Sequence, residues 1–63
     1  MHMIQKQRID MVIYQVEAAM QLMKKMKTEL PPTDAQFKKI DEAYNSALSI
    51  IERLKEASSI KPG

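Results

Sequence analysis

An unbroken series of apolar residues at alternating three- and four-residue steps constrains this chain more than any other feature. The series comprises Ile9, Val12, Val16, Ala19, Met23, Met26 and Leu30. This is the spacing of the a and d positions of a heptad repeat, so it predicts a long helix that packs its apolar seam against another helix. Because neither glycine nor proline occurs before Pro31, we expect helix 1 to span about residues 4–29.

Helix 1 is apolar on more than the side that carries this seam. Ile13 and Met20 widen one flank, and only Gln15 separates the seam from a second apolar stripe on the other side. The second stripe consists of Met11, Tyr14, Ala18 and Leu22. Such a wide apolar circumference is typical of a helix buried on several sides. Helix 1 is then either a broad core helix or, the interpretation we favour, a helix that meets one partner on the seam and another on the second stripe.

Two consecutive prolines, Pro31 and Pro32, end helix 1, because neither can donate a backbone hydrogen bond. Thr33 and Gln36 follow at the spacing of a capping box, which marks the start of a second helix. Asp34 then falls in the first turn, where the helix dipole favours a negative charge. So short a connection predicts two antiparallel neighbouring helices.

Helix 2 is expected over about residues 34–58, after a turn at residues 30–33. Its a and d positions are Phe37, Ile40, Tyr44, Ala47, Ile51 and Leu54. Ala43, Leu48 and Ile50 widen this face, and the opposite face is polar, as in an ordinary amphipathic helix. The sequence therefore predicts an all-α fold: a single helical-hairpin domain over residues 1–63, with a flexible tail at residues 59–63.

A chain of 63 residues supplies only about 3–5 kcal/mol from its own core. With no cysteine to form disulfides, oligomerisation is the expected remedy. Two hairpins joined into a coiled-coil-like four-helix bundle would make a homodimer, and a tetramer is the alternative if the second stripe is also covered. The expected oligomer interface comprises Ile9, Val12, Ile13, Val16, Ala19, Met20, Met23, Met26, Ile40, Tyr44, Ala47, Leu48, Ile51 and Leu54.

No residue pattern in the sequence indicates catalysis. The only histidine is His2, the only glycine is Gly63, and neither a phosphate-binding loop nor a Glu-x-x-His metal motif occurs. We therefore expect a non-enzymatic protein without cofactor or metal. The expected function is a helical protein–protein interaction or oligomerisation module, such as a small regulator, whose partner-binding residues would be Met11, Tyr14, Ala18 and Leu22.

Nucleic-acid binding is the alternative function. The net charge is only +2, but lysines cluster at the turn end of the hairpin while its waist is acidic. The candidate contacts to phosphates or to an acidic partner are Lys24, Lys25, Lys27, Lys38 and Lys39. In length and layout the predicted dimer resembles Rop, a plasmid-copy-number RNA-binding protein. That likeness implies an RNA-binding regulator, although the RNA-contacting residues of Rop do not align with this chain and the waist of helix 1 is more apolar.

We expect a cytoplasmic location and no membrane partner. Asp10, Glu17, Lys24 and Lys25 interrupt the most apolar region, so no run reaches the ~18 residues of a membrane span. The N-terminal residues lack the continuous apolar segment of a signal peptide.

Overall fold

The chain forms two long helices that pack against each other as an antiparallel hairpin. The computed structural model describes the backbone of residues 2–60 and the side chains of residues 5–60. Helix α1 spans His2–Thr28 and helix α2 spans Ala35–Ser59. Their Cα atoms fill an elongated volume of 48 × 15 × 10 Å. The prediction of an all-helical hairpin is confirmed. The predicted tail includes residues 61–63, which lie outside the described part of the chain.

Helix α1 ends in a tightened turn before the prolines. The backbone N–H of Glu29 donates to the carbonyl of Met26 at 3.1 Å, and that of Leu30 donates to the carbonyl of Lys27 at 3.3 Å. These three-residue bonds satisfy carbonyls that have no partner further along the helix. The Thr28 hydroxyl satisfies another by donating to the carbonyl of Lys25 at 2.6 Å.

Asp34, and not Thr33, caps helix α2. Its side-chain Oδ1 accepts from the backbone N–H of Gln36 at 2.8 Å, and its own backbone is extended (φ −69°, ψ 137°). The predicted capping box at Thr33 is therefore wrong by one residue. The reason is the preceding turn, in which the Asp34 N–H donates to the Pro31 carbonyl at 2.9 Å. Pro32 and Thr33 form the middle of that turn, and proline is favoured at its second position.

The hairpin core is thin. Met20, Ala47 and Ile51 are each only 6% exposed, and Ile13, Val16 and Tyr44 pack around them. All six positions that the sequence assigns to the α2 seam are buried or half-buried. The small side chain of Ala47 allows the two helices to approach closely at its position.

Helix α1 does not pack against α2 with the predicted seam. Ile9, Val16, Met23 and Leu30 are half-buried as expected, but Val12 and Met26 are 44% exposed and Ala19 is exposed as well. The positions next to these three point at α2 instead, namely Ile13, Met20 and Lys27. Two heptad registers share the residues 9, 16, 23 and 30, and a two-helix hairpin can bury only one of them. The observed register buries Ile13 and Met20 in place of the smaller Val12 and Ala19, and so removes more apolar surface from water.

Candidate interaction surfaces

The predicted partner-binding stripe of α1 is fully on the outside of the hairpin. Met11, Tyr14 and Leu22 are between 61% and 74% exposed, and Ala18 is exposed too. Isolated exposed apolar residues are ordinary on protein surfaces, but these four follow one side of a single helix. The structure therefore leaves a continuous apolar stripe without an intrachain partner.

A second apolar surface runs along one broad side of the hairpin. Met26 shares a shallow groove with Gln36 and Lys39 of α2, which places these residues on the same side. Residues seven apart return to nearly the same side of a helix, so Val12 and Ala19 lie on this side with Met26. By the same spacing, three residues of α2 follow Gln36 on it. We call the resulting six exposed residues the layered face: Val12, Ala19, Met26, Ala43, Ile50 and Ala57.

Two polar contacts fix the heights of these residues relative to each other. The Lys27 Nζ donates to the Asp41 Oδ1 at 2.7 Å, and near the open end the Ser58 Oγ donates to the Asp10 Oδ1 at 3.5 Å. Because the helices are antiparallel, a residue further along α1 lies level with a residue correspondingly earlier in α2. The layered face accordingly forms three successive pairs, which are Val12 with Ala57, Ala19 with Ile50, and Met26 with Ala43.

The opposite broad side of the hairpin is more polar. One groove there runs between the helices and is lined by Tyr14, Glu17, Ala18, Met20, Gln21, Leu48, Ile51 and Lys55. A neighbouring groove towards the open end adds Lys6 and Asp10, which form an ion pair at 3.2 Å. Charged and apolar side chains therefore share this side, which we call the polar face.

Lys27 occupies a core position that sequence analysis missed. It follows Ile13 and Met20 at seven-residue intervals, and its side chain is only 21% exposed. Its ammonium group lies 4.9 Å from the centre of the Tyr44 ring and 5.6 Å from that of Phe37, within the range of cation–π attraction. The seven-residue spacing of Ile13, Met20 and Lys27 is the sequence signal that could have placed Lys27 in the seam. Its charge, by contrast, is typical of a surface position.

The other predicted phosphate contacts are exposed but do not form one patch. Lys24 follows Glu17 by seven residues and belongs to the polar face, whereas Lys39 borders the groove beside Met26 on the opposite side. By helical periodicity, Lys25 and Lys38 point away from the partner helix. The Lys39 Nζ also lies 3.6 Å from the Glu42 Oε1. The lysines of the turn end thus spread around the hairpin.

The predicted oligomer interface divides between three locations. Most of its members are in the contact between α1 and α2, which are Ile9, Ile13, Val16, Met20, Met23, Ile40, Tyr44, Ala47, Ile51 and Leu54. Val12, Ala19 and Met26 are on the layered face, while Leu48 is on the polar face. The surface left for a partner therefore differs from the predicted one, and it includes Ile50, which that prediction omitted.

Within residues 5–60, no group of three or more histidine, cysteine, aspartate or glutamate side chains is placed to hold a metal ion. Neither α1 nor α2, as far as they are described, contains a segment both long and apolar enough to cross a bilayer.

Comparison of the chain with protein-family models, with curated proteins and with solved structures gives no match. The function proposed below therefore rests on the surfaces of the hairpin alone.

Proposed function

We propose that this chain is a small, non-enzymatic helical module that self-associates, two hairpins pairing as a dimeric four-helix bundle, and that contacts a protein partner through its remaining apolar surface. The observation that supports this proposal most strongly is the exposure of large apolar side chains on both sides of α1. They are joined by Ile50 of α2, which is 47% exposed.

The energetic reason follows from the thin core. Complete burial of a Leu, Ile or Met side chain contributes ~1.5–3 kcal/mol. Met11, Val12, Leu22, Met26 and Ile50 each retain close to half or more of their surface in water. Burying what remains would therefore add several kcal/mol, which is comparable to the ~3–5 kcal/mol that a core of this size supplies. Pairing of two hairpins is the simplest way to recover that free energy, and two-fold symmetry is the commonest arrangement of homo-oligomers.

A protein partner would find apolar residues on the polar face as well. Tyr14, Ala18 and Leu48 line the groove of this face, and Glu17 and Lys55 line it with them. A groove that combines apolar and charged side chains can bind an amphipathic helix, since the apolar contacts give affinity and the charges give orientation. A small regulator or the oligomerisation segment of a larger protein would use the chain in this way.

The proposal is tested by sedimentation equilibrium of the chain over a range of concentrations. We expect an average mass that rises to twice the mass of the chain. A single-chain mass at every concentration, with the helical circular-dichroism signal retained, would overturn self-association. Affinity capture by immobilised dimer, repeated with Tyr14→Glu, then tests the second part. Capture of a defined protein that is lost in this variant supports the partner site, and capture that is unchanged removes it.

A further inference from the structure

We infer that a second copy of this chain covers the layered face, an inference that rests on the proposed self-association. Helix α1 packs against α1 of the second copy in antiparallel orientation. The two turns then lie at opposite ends of the bundle. A two-fold axis would then pass between the two copies of Ala19 on one side and between the two copies of Ile50 on the other. Two properties of the layered face favour this arrangement, and charge and area agree with it.

The first property is that both rows of the layered face have their centre at the same height. Ala19 lies midway between Val12 and Met26, and Ile50 lies midway between Ala43 and Ala57. Because Ala19 and Ile50 are also level with each other, a single two-fold axis at this height superposes both rows on themselves. The face is self-complementary in position, as an isologous interface requires.

The second property is the alternation of large and small side chains. Within one hairpin, each of the three pairs contains one alanine and one larger residue: Val12 with Ala57, Ile50 with Ala19, and Met26 with Ala43. After the two-fold rotation every layer of four side chains contains two alanines and two larger residues. Layers of similar composition favour even packing along these three layers.

Charge and area agree with the same arrangement. Arg8 and Glu29, both exposed, lie at nearly equal distances on either side of Ala19, so each arginine would lie near the glutamate of the second copy. The broad side of the hairpin measures 48 × 15 Å, or about 700 Å² in projection. This is close to the ~800 Å² that each partner contributes to a standard stable interface.

Single-cysteine variants test the pairing directly, because the natural chain contains no cysteine. Ala19→Cys places a thiol at the proposed axis, and Gln21→Cys, two residues away on the polar face, is the matched control. Each variant is oxidised with copper phenanthroline and examined on a non-reducing gel, with its mass in solution measured beforehand. We expect Ala19→Cys to form a covalent dimer about tenfold or more faster than Gln21→Cys, because thiols held together in a complex have effective concentrations in the millimolar range.

The outcomes separate the pairing from self-association itself. A variant that sediments as a dimer but links no faster than Gln21→Cys would overturn the pairing while leaving the proposed function intact. So would cross-linking of Ala19→Cys only after mixing with Ile50→Cys, because that result places α1 against α2. A single-chain mass before oxidation would overturn both, and rapid self-linking of Ala19→Cys at dimer mass supports both.

Discussion

Truncating Ile50 to alanine should weaken self-association, whereas the same truncation of Leu48 should not. The two residues are a closely matched pair on α2. Ile50 is 47% exposed and Leu48 is 43% exposed, and they have side chains of equal size. Ile50 lies at the centre of the layered face, and Leu48 lies on the polar face. Their comparison therefore separates the location of an apolar group from its mere exposure.

The expected magnitude follows from the area that pairing would bury. Complete burial of an isoleucine contributes ~1.5–3 kcal/mol, and about half of the Ile50 surface is already covered within the hairpin. Each copy would then gain about 0.7–1.5 kcal/mol from Ile50 on pairing. Because the dimer contains two copies, Ile50→Ala should cost about 1.5–3 kcal/mol of association free energy. At 1.4 kcal/mol per factor of ten, the Kd should rise by roughly tenfold to a hundredfold.

Sedimentation equilibrium of the two variants and the parent chain gives the three dissociation constants. Circular dichroism at the same concentrations shows whether each variant keeps its helices. Equal weakening by Ile50→Ala and Leu48→Ala would refute the assignment of the interface to the layered face. A larger effect at Leu48 would place the second copy on the polar face instead.

Three further predictions concern the turn, the half-buried Lys27 and nucleic acids. Asp34→Ala should lower the free energy of unfolding by about 1 kcal/mol in chemical denaturation, because it removes the cap of α2, while Thr33→Ala should change it by a few tenths. Lys27→Ala should cost about 1–2 kcal/mol in the same assay through lost ring contacts and stem packing. Asp41→Asn should cost less than 1 kcal/mol, because water screens an ion pair whose carboxylate is 46% exposed. In gel shifts with mixed RNA and DNA we expect no complex even at low salt, since the turn-end lysines do not form one patch; a complex that weakens steeply with added salt would favour the nucleic-acid alternative.

The sequence predicts the architecture well because its strongest signals are local. Two prolines after a long uninterrupted helical pattern leave few alternatives to a hairpin, and the a and d positions of α2 are its only wide apolar side. The predicted cap of α2 was one residue too early because Thr33 and Asp34 are both good capping residues. Only the hydrogen bond that closes the turn at Pro31 decides between them.

The register of α1 could not be predicted from the sequence, and the candidate surface depends on it. Helix α1 has two possible apolar seams, which share residues 9, 16, 23 and 30. Packing against α2 determines which of the two is buried. Lys27 contributes to that choice, because in the observed register its ammonium group donates to Asp41 and lies 4.9 Å from the centre of the Tyr44 ring. A lysine in a seam contradicts the hydrophobic pattern, so the pattern alone favours Met26. Relative to the predicted register, α1 is rotated about its axis by one residue position. This rotation moves Val12 and Ala19 from the contact with α2 to the outside of the hairpin.

The dependence of the melting temperature on protein concentration tests most directly whether the hairpin needs a second copy. If the surplus apolar surface is buried by pairing, unfolding is coupled to dissociation, and the melting temperature should rise by roughly 10 °C over a hundredfold increase in concentration. A cooperative transition at one temperature throughout that range would show that a single hairpin is stable alone, and would contradict the account.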